Sequence, residues 1–164
     1  MTRRYLYLPG CATQPGASAS HYQRSIDTLC SMLDLEFETI PDWNCCGASL
    51  AHAAAGELPG LALSARNLAL AERIRPGQDV VIARSGCWSV TRDAAHRLET
   101  DGELMSETNQ ALAEAGLKYE AKQRIRHFIE VLLDDVGEDT LRDQVRRPLH
   151  GLRVAGHVGC HADF

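Results

Sequence analysis

No apolar run in this chain approaches the length of a membrane-spanning helix, which excludes a helical membrane span. Basic residues are not in excess: the net charge of -5 and pI near 5.8 argue against a nucleic-acid surface. No phosphate-binding loop and no G-x-G-x-x-G fingerprint occurs, so no nucleotide or flavin site is evident. No C-x-x-C occurs either, and the spacing alone does not support a zinc ribbon. Aromatic residues make only 5% of the chain. The apolar stretch behind Arg3-Arg4 stops at Pro9, too short for a secretory signal. A cytoplasmic location with reduced thiols is therefore the expectation.

What the sequence does hold is six cysteines among 164 residues, enough chain for one domain with a real core. In a reducing compartment such a set points to metal or redox chemistry rather than to a disulfide framework. The focus is Asp42-Trp43-Asn44-Cys45-Cys46-Gly47. Adjacent cysteines do not readily close a disulfide with each other, because the bond needs a wider Cα separation than one trans peptide step gives. They can place two thiolates on one metal centre or cluster. Gly47 then lets backbone lie close to whatever they hold.

Tyr5–Leu8, Glu36–Ile40 and Asp79–Ala83 read as strands, and the consecutive Val80-Val81-Ile82-Ala83 suits a parallel strand covered on both faces. Helices are expected from a cap at Ser18 or Ser20 to about Leu33, over Ala48–Ala55, from Pro59 to Pro76-Gly77, from Trp88 through Leu98, and over Glu103–Ala115. A further amphipathic stripe is formed by Ile125, Phe128, Ile129, Leu132 and Leu133. Glu138–Arg147 reads as a solvated helix or linker, and Leu152–His157 as another strand. The alternation predicts an α/β fold: an open, mostly parallel sheet with helices on both faces, Rossmann-like in plan. Ligands of such sheets sit outside the carboxyl ends of the strands, where Cys11, Cys45, Cys46, Cys87 and Cys160 are expected to lie. Cys30 falls inside an amphipathic helix and reads as a small buried hydrophobe.

Four soft thiolates can hold zinc or an iron–sulfur cluster. Leu8-Pro9-Gly10-Cys11, Asp42-Trp43-Asn44-Cys45-Cys46-Gly47-Ala48, Ala65-Arg66-Asn67-Leu68-Ala69 and Gly86-Cys87-Trp88 stand in the order found in the cysteine-rich CCG domain. The sequence resembles in particular the B subunit of heterodisulfide reductase and its relatives in sulfur-oxidising bacteria, which carry that domain twice. The resemblance implies a first CCG domain over residues 1–150 and, from Leu152-Arg153-Val154-Ala155-Gly156-His157-Val158-Gly159-Cys160-His161, the start of a second over 151–164.

The resemblance also implies a [4Fe-4S] cluster, cubane or a modified noncubane form, held by Cys11, Cys45, Cys46 and Cys87. Cys160 would match the first ligand of a second site. In the noncubane form of the family a fifth cysteine stands three residues before the last ligand, where this chain has Arg84. An arginine cannot be a thiolate ligand, so four protein thiolates are expected, with the guanidinium either turned to solvent or set against the cluster. The implied role is that of an oxidoreductase component acting on a thiol, disulfide or protein-bound sulfur species. Its implied partners are an iron–sulfur protein resembling the C subunit of heterodisulfide reductase and a flavin protein resembling its A subunit. Two rival readings are the CCG-domain component of lactate or glycolate oxidation and a zinc-stabilised module without catalysis. His52, His96 and His127 read as helix-surface residues, while His161 beside Cys160 could supply a proton or simply open a helix.

Overall fold

The computed structural model describes residues 2–48 and 56–156. Strands β1 (Arg3–Leu8), β2 (Leu35–Thr39), β3 (Val80–Ile82) and β4 (Ile125–His127) form one parallel sheet in the order β2-β1-β3-β4. The helices are α1 (Ser20–Met32), α2 (Leu58–Ile74), α3 (Ser85–Thr100), α4 (Gly102–Ala113), the single turn α5 (Phe128–Glu130) and α6 (Glu138–Gln144). A 3-10 turn covers Cys11–Thr13 and a π-helical turn covers Val131–Val136. This is the open α/β sheet that the strand and helix alternation predicts.

Alternation along β1 divides the core. Leu6 and Leu8, with Val80 and Ile82, face Ala65 and Leu68 of α2, Leu98 of α3 and Leu112 of α4. Tyr5 and Tyr7, with Val81, face Ile26 and Cys30 of α1 and Phe128, Val131 and Leu132. Phe37 stacks on Tyr7 and meets Tyr5 and Phe128 edge-on. Val80, Val81 and Ile82 are fully buried, as a strand covered on both faces must be. From β1 the chain goes to β2 on one side and returns to β3 on the other. The strand order therefore reverses at β1, and the carboxyl ends there border a crevice.

Several expectations are corrected. Helix α1 begins at Ser20 behind Ala19, with no side-chain cap from Ser18 or Ser20. The Ala19 N–H instead donates to Ala12 O at 2.8 Å, tying the helix start to the Cys11 turn. Helix α3 starts at Ser85 rather than Trp88, so Cys87 lies in its first turn and not in a loop. Ile125 belongs to a strand and not to the helical stripe that begins at Phe128. A three-residue strand is too short to show a period of two, and its central Arg126 is buried in a web of carboxylates. Residues 152–156 are exposed and form no strand; none of them pairs with the sheet. His157 to Phe164, including Cys160 and His161, lies outside the described residues, as does the expected helix after Ala48. Glu138–Arg147 does carry a helix, α6, with no buried residue.

Candidate metal centre

Three of the four strand ends deliver the cysteines. After β1 the chain passes Pro9 and Gly10 into the 3-10 turn that opens with Cys11. Gly10 adopts φ 84° and ψ 150°, a region open essentially to glycine alone. The buried Thr13 hydroxyl donates to Pro9 O at 2.8 Å and Gly10 O at 2.9 Å, fixing the turn. After β2 comes the loop with Cys45 and Cys46. After β3, Cys87 stands third in α3, where free backbone N–H groups and the helix dipole favour negative charge.

These elements converge. The Sγ atoms of Cys11 and Cys45 are 3.6 Å apart. A Cβ placed on Gly10 would lie 3.2 Å from Cys87 Sγ and 3.5 Å from Arg84 Cδ. The absent side chain of Gly10 is thus the space that the Cys87 sulfur and the Arg84 stem occupy. Cys11 is exposed and Cys45 half-buried, whereas Cys46 and Cys87 are buried in the core.

The four thiols act on one another. The neighbouring Cys87 thiol, helped by the Ala48 backbone N–H and opposed by burial, pulls Cys46 down to about 6. Cys87 moves the opposite way, raised by its Cys46 neighbour and by burial, with Arg84 opposing. At Cys45 the Gly47 N–H, 3.5 Å from its sulfur, lowers the thiol, but burial, Cys11 and Cys46 outweigh it and raise it. Cys45 and Cys87 are held protonated in this set, and nearby positive charge such as a bound metal favours their thiolates.

The Cys45-Cys46 loop is clamped by α2. Asn67, fully buried, accepts from the Asn44 N–H at 2.8 Å and donates to the Asn44 carbonyl at 2.9 Å, as a neighbouring strand would. Arg66 donates to Asp42 O at 2.7 Å and Asn44 Oδ1 at 3.0 Å and pairs with the Asp42 carboxylate. Asn44 Nδ2 in turn donates to Cys45 O at 2.8 Å. Two asparagines and an arginine thereby hold the backbone that presents both thiols.

The structure brings together the four cysteines that the sequence singles out among the described residues: Cys11, Cys45, Cys46 and Cys87. Cys30 lies on the other face of the sheet, raised to about 11 chiefly by burial, as an inert packing residue. The stem of Arg84 passes beside Gly10, the residue is half-buried, and its charge acts on Cys87. Trp43 packs half-buried against the core, and Trp88 stacks edge-on to His127. His127 is not a helix-surface residue. Burial lowers its pKa, and its Nδ1 accepts from the Ile129 N–H at 3.2 Å. His96 is exposed, as expected, and His52 lies outside the described residues. The structural roles of Gly10, Thr13, Arg66 and Asn67 are not legible from residue type alone. Gly10, Arg66 and Asn67 are flagged in the sequence only as members of the family's motif segments, and Asn67 also as an asparagine set in the apolar stripe of α2.

Among the described residues, no three donors of the Cys, His, Asp and Glu type gather closely enough to bind a single ion. The Cys11 and Cys45 sulfurs touch, and Cys46 and Cys87 lie near enough to shift one another's titration. A donor set made only of thiols suits the soft irons of an iron–sulfur cluster, and suits zinc as well. That donor set and the cradle at Gly10 fit the cluster.

Residues 5–90 match the family of the cysteine-rich CCG domain. The chain is 34% identical over 129 residues to the B subunit of a CoB-CoM heterodisulfide reductase of Methanosarcina acetivorans, covering 79% of this chain and 42% of that protein. It is 31% identical over 137 residues to a protein of Archaeoglobus profundus named as like the heterodisulfide reductase B subunit, covering 84% and 45%. It is 32% identical over 162 residues to the 8-methylmenaquinol:fumarate reductase membrane anchor subunit of Wolinella succinogenes, covering 99% and 54%. The chain thus spans about half the length of the curated relatives it matches. A hypothetical protein of Helicobacter pylori shares the fold, with a TM-score of 0.64 at 17% identity over 80% of this chain and 26% of that one. No helix among the described residues is long and apolar enough to cross a membrane. With its Cys-Cys-Gly loop set against the ends of β1 and β3, and with the family match running from Tyr5 to Val90, the chain belongs to the cysteine-rich CCG domain family.

Proposed function

We propose that the chain is an iron–sulfur redox subunit, its cluster held by Cys11, Cys45, Cys46 and Cys87. The observation that carries this reading is the gathering of four thiols at the carboxyl ends of three strands. When bound, a [4Fe-4S] cluster accepts and donates single electrons. The chain's own residues do the rest. Asn44, Arg66 and Asn67 hold the Cys45-Cys46 backbone, and the first turn of α3 and Arg84 set positive potential against the thiolates. The buried Cys46 and Cys87 keep one side of the cage dry. The exposed Cys11 leaves the other side open to an electron partner or a substrate sulfur.

The relatives named as heterodisulfide reductase B subunits support a sulfur substrate, a thiol, disulfide or protein-bound sulfur species, and a subunit's place in a larger complex; an iron–sulfur and a flavin partner are what the family resemblance implies. The Wolinella relative is named for a methylmenaquinol and fumarate, so the family serves more than one redox couple. What these relatives share is electron transfer, and the sulfur substrate is the finer part of the proposal. A second site begun by Cys160 would need ligands beyond this chain.

The test is anaerobic reconstitution of the full chain with iron and sulfide, followed by metal and sulfide analysis and electron paramagnetic resonance. A brown protein with iron, labile sulfide and a reducible paramagnetic centre is expected. A colourless protein that takes zinc and no sulfide would replace this reading with the interaction module.

A further inference from the structure

The four thiols differ in access. Cys46 and Cys87 are only 3% and 7% exposed, while Cys11 is exposed and Cys45 half-buried. These two more accessible residues also have their sulfurs in contact, with Sγ atoms 3.6 Å apart. We propose that, whenever the cage holds no metal, Cys11 and Cys45 act as a dithiol–disulfide couple that exchanges with small-molecule disulfides.

The chemistry balances without any further oxidant. The Cys11 thiolate attacks one sulfur of a small disulfide, breaking its S–S bond, forming a mixed disulfide and releasing one thiolate. The Cys45 thiolate then attacks the Cys11 sulfur, forming the internal bond and releasing the second small thiolate. Two electrons pass to the small disulfide, and the two protein protons go to the departing thiolates. Excess small thiol reverses both steps.

Geometry selects this pair over the others. A disulfide needs its sulfurs at about 2.0 Å, so this pair has only to close from 3.6 Å, with Cys11 in its turn free to move toward the clamped Cys45 loop. Cys11 opens a 3-10 turn and Cys45 lies in a loop, neither inside the packed helices. The Gly47 N–H points at the Cys45 sulfur from 3.5 Å, a donor for its charge as it attacks. Cys46 is the chain neighbour of Cys45, but vicinal cysteines close poorly, and Cys46 is turned inward to Cys87. The couple goes beyond the iron–sulfur reading and stands on thiol geometry alone. Its consequence is that closure withdraws two of four thiolates from any metal.

The experiment uses the full chain, stripped of metal by a chelator, reduced, desalted and exposed anaerobically to oxidised glutathione. The intact protein is expected to lose two hydrogens and two titratable thiols, and fragment mass spectra to place the link between Cys11 and Cys45. Cys45→Ser is expected to stop one step earlier, with one glutathione retained on Cys11, while Cys30→Ser behaves as the parent. In the unmutated chain, prior limited alkylation at Cys11 must abolish the two-hydrogen loss, a check that needs no variant to fold. A link to Cys46 or Cys87, absence of the Cys11 adduct in Cys45→Ser, or no thiol loss in the parent overturns the couple. Iron uptake by the reduced chain is scored separately, so failure of the cluster leaves this result readable.

Discussion

Replacing Gly10 with alanine separates backbone strain from damage to the site. At φ 84° and ψ 150° the backbone is in a region that costs a residue with a Cβ about 1–3 kcal/mol. The new methyl would also sit 3.2 Å from Cys87 Sγ and 3.5 Å from Arg84 Cδ, closer to the sulfur than nearly all real contacts allow. Gly137 supplies the control: its φ of 87° and ψ of 148° match, but nothing lies within 4 Å of its hypothetical Cβ. Both Gly10→Ala and Gly137→Ala should lower stability by about 2 kcal/mol, roughly 4–8 °C in melting temperature for a chain of this size. Only Gly10→Ala should also reduce iron bound on reconstitution, because it displaces a ligand sulfur. Melting curves of the metal-free chains and iron-to-protein ratios decide. Full iron in Gly10→Ala, or an equal iron loss in Gly137→Ala, would refute the claim that Gly10 makes room for Cys87.

Cys45→Ser and Cys46→Ser should each lower iron and sulfide content, while Cys30→Ser and Cys160→Ser should keep both; full occupancy in the first two would end the ligand assignment. Asn67→Ala leaves the Asn44 N–H and carbonyl without partners and should cost about 2 kcal/mol with reduced iron uptake, read by denaturant melts and metal analysis. Arg84→Gln removes a cation beside Cys87 and should lower the reduction potential of the reconstituted centre in a spectroscopic redox titration; an unchanged value would place Arg84 outside its field. At Asp135, burial raises the carboxyl pKa, but hydrogen bonds from Arg126 and Tyr5 prevail and hold it below the ordinary value of about 3.9. Its stabilisation is therefore complete above that value and is lost as the pH falls through the depressed one, so Asp135→Asn should flatten the acid limb of a stability-versus-pH curve.

The sheet and the four cysteines that it gathers are legible because each rests on a local pattern. Val80-Val81-Ile82 is a continuous apolar run, and Cys45-Cys46 has few structural uses other than ligation. The strand β4 was not legible, because three residues around a charged Arg126 carry no periodicity. What makes Arg126 a core residue is Asp79, Asp134, Asp135 and Tyr5, contributed from elsewhere in the chain. Arg84, which precedes α3, offers no side-chain cap, so no local signal marks the start of that helix at Ser85. Asn67 acquires its role only when α2 is laid beside the Cys45-Cys46 loop, a tertiary event that no window of sequence contains.

Thirty-three residues separate Cys11 from Cys45, and forty separate Cys46 from Cys87, with a helical crossover in each interval. No fragment of the chain that ends before β3 can contain the cage, and none of its local helices or turns anticipates it. During synthesis the last ligand emerges only after two crossovers have been made, so long-range strand pairing must precede any complete set of thiols. A cofactor offered early would meet an unfinished sheet, and one offered late would meet a rigid cavity. Retention of the proposed cluster would therefore be a readout of finished topology, since all four thiols meet only once β1, β2 and β3 have docked in register.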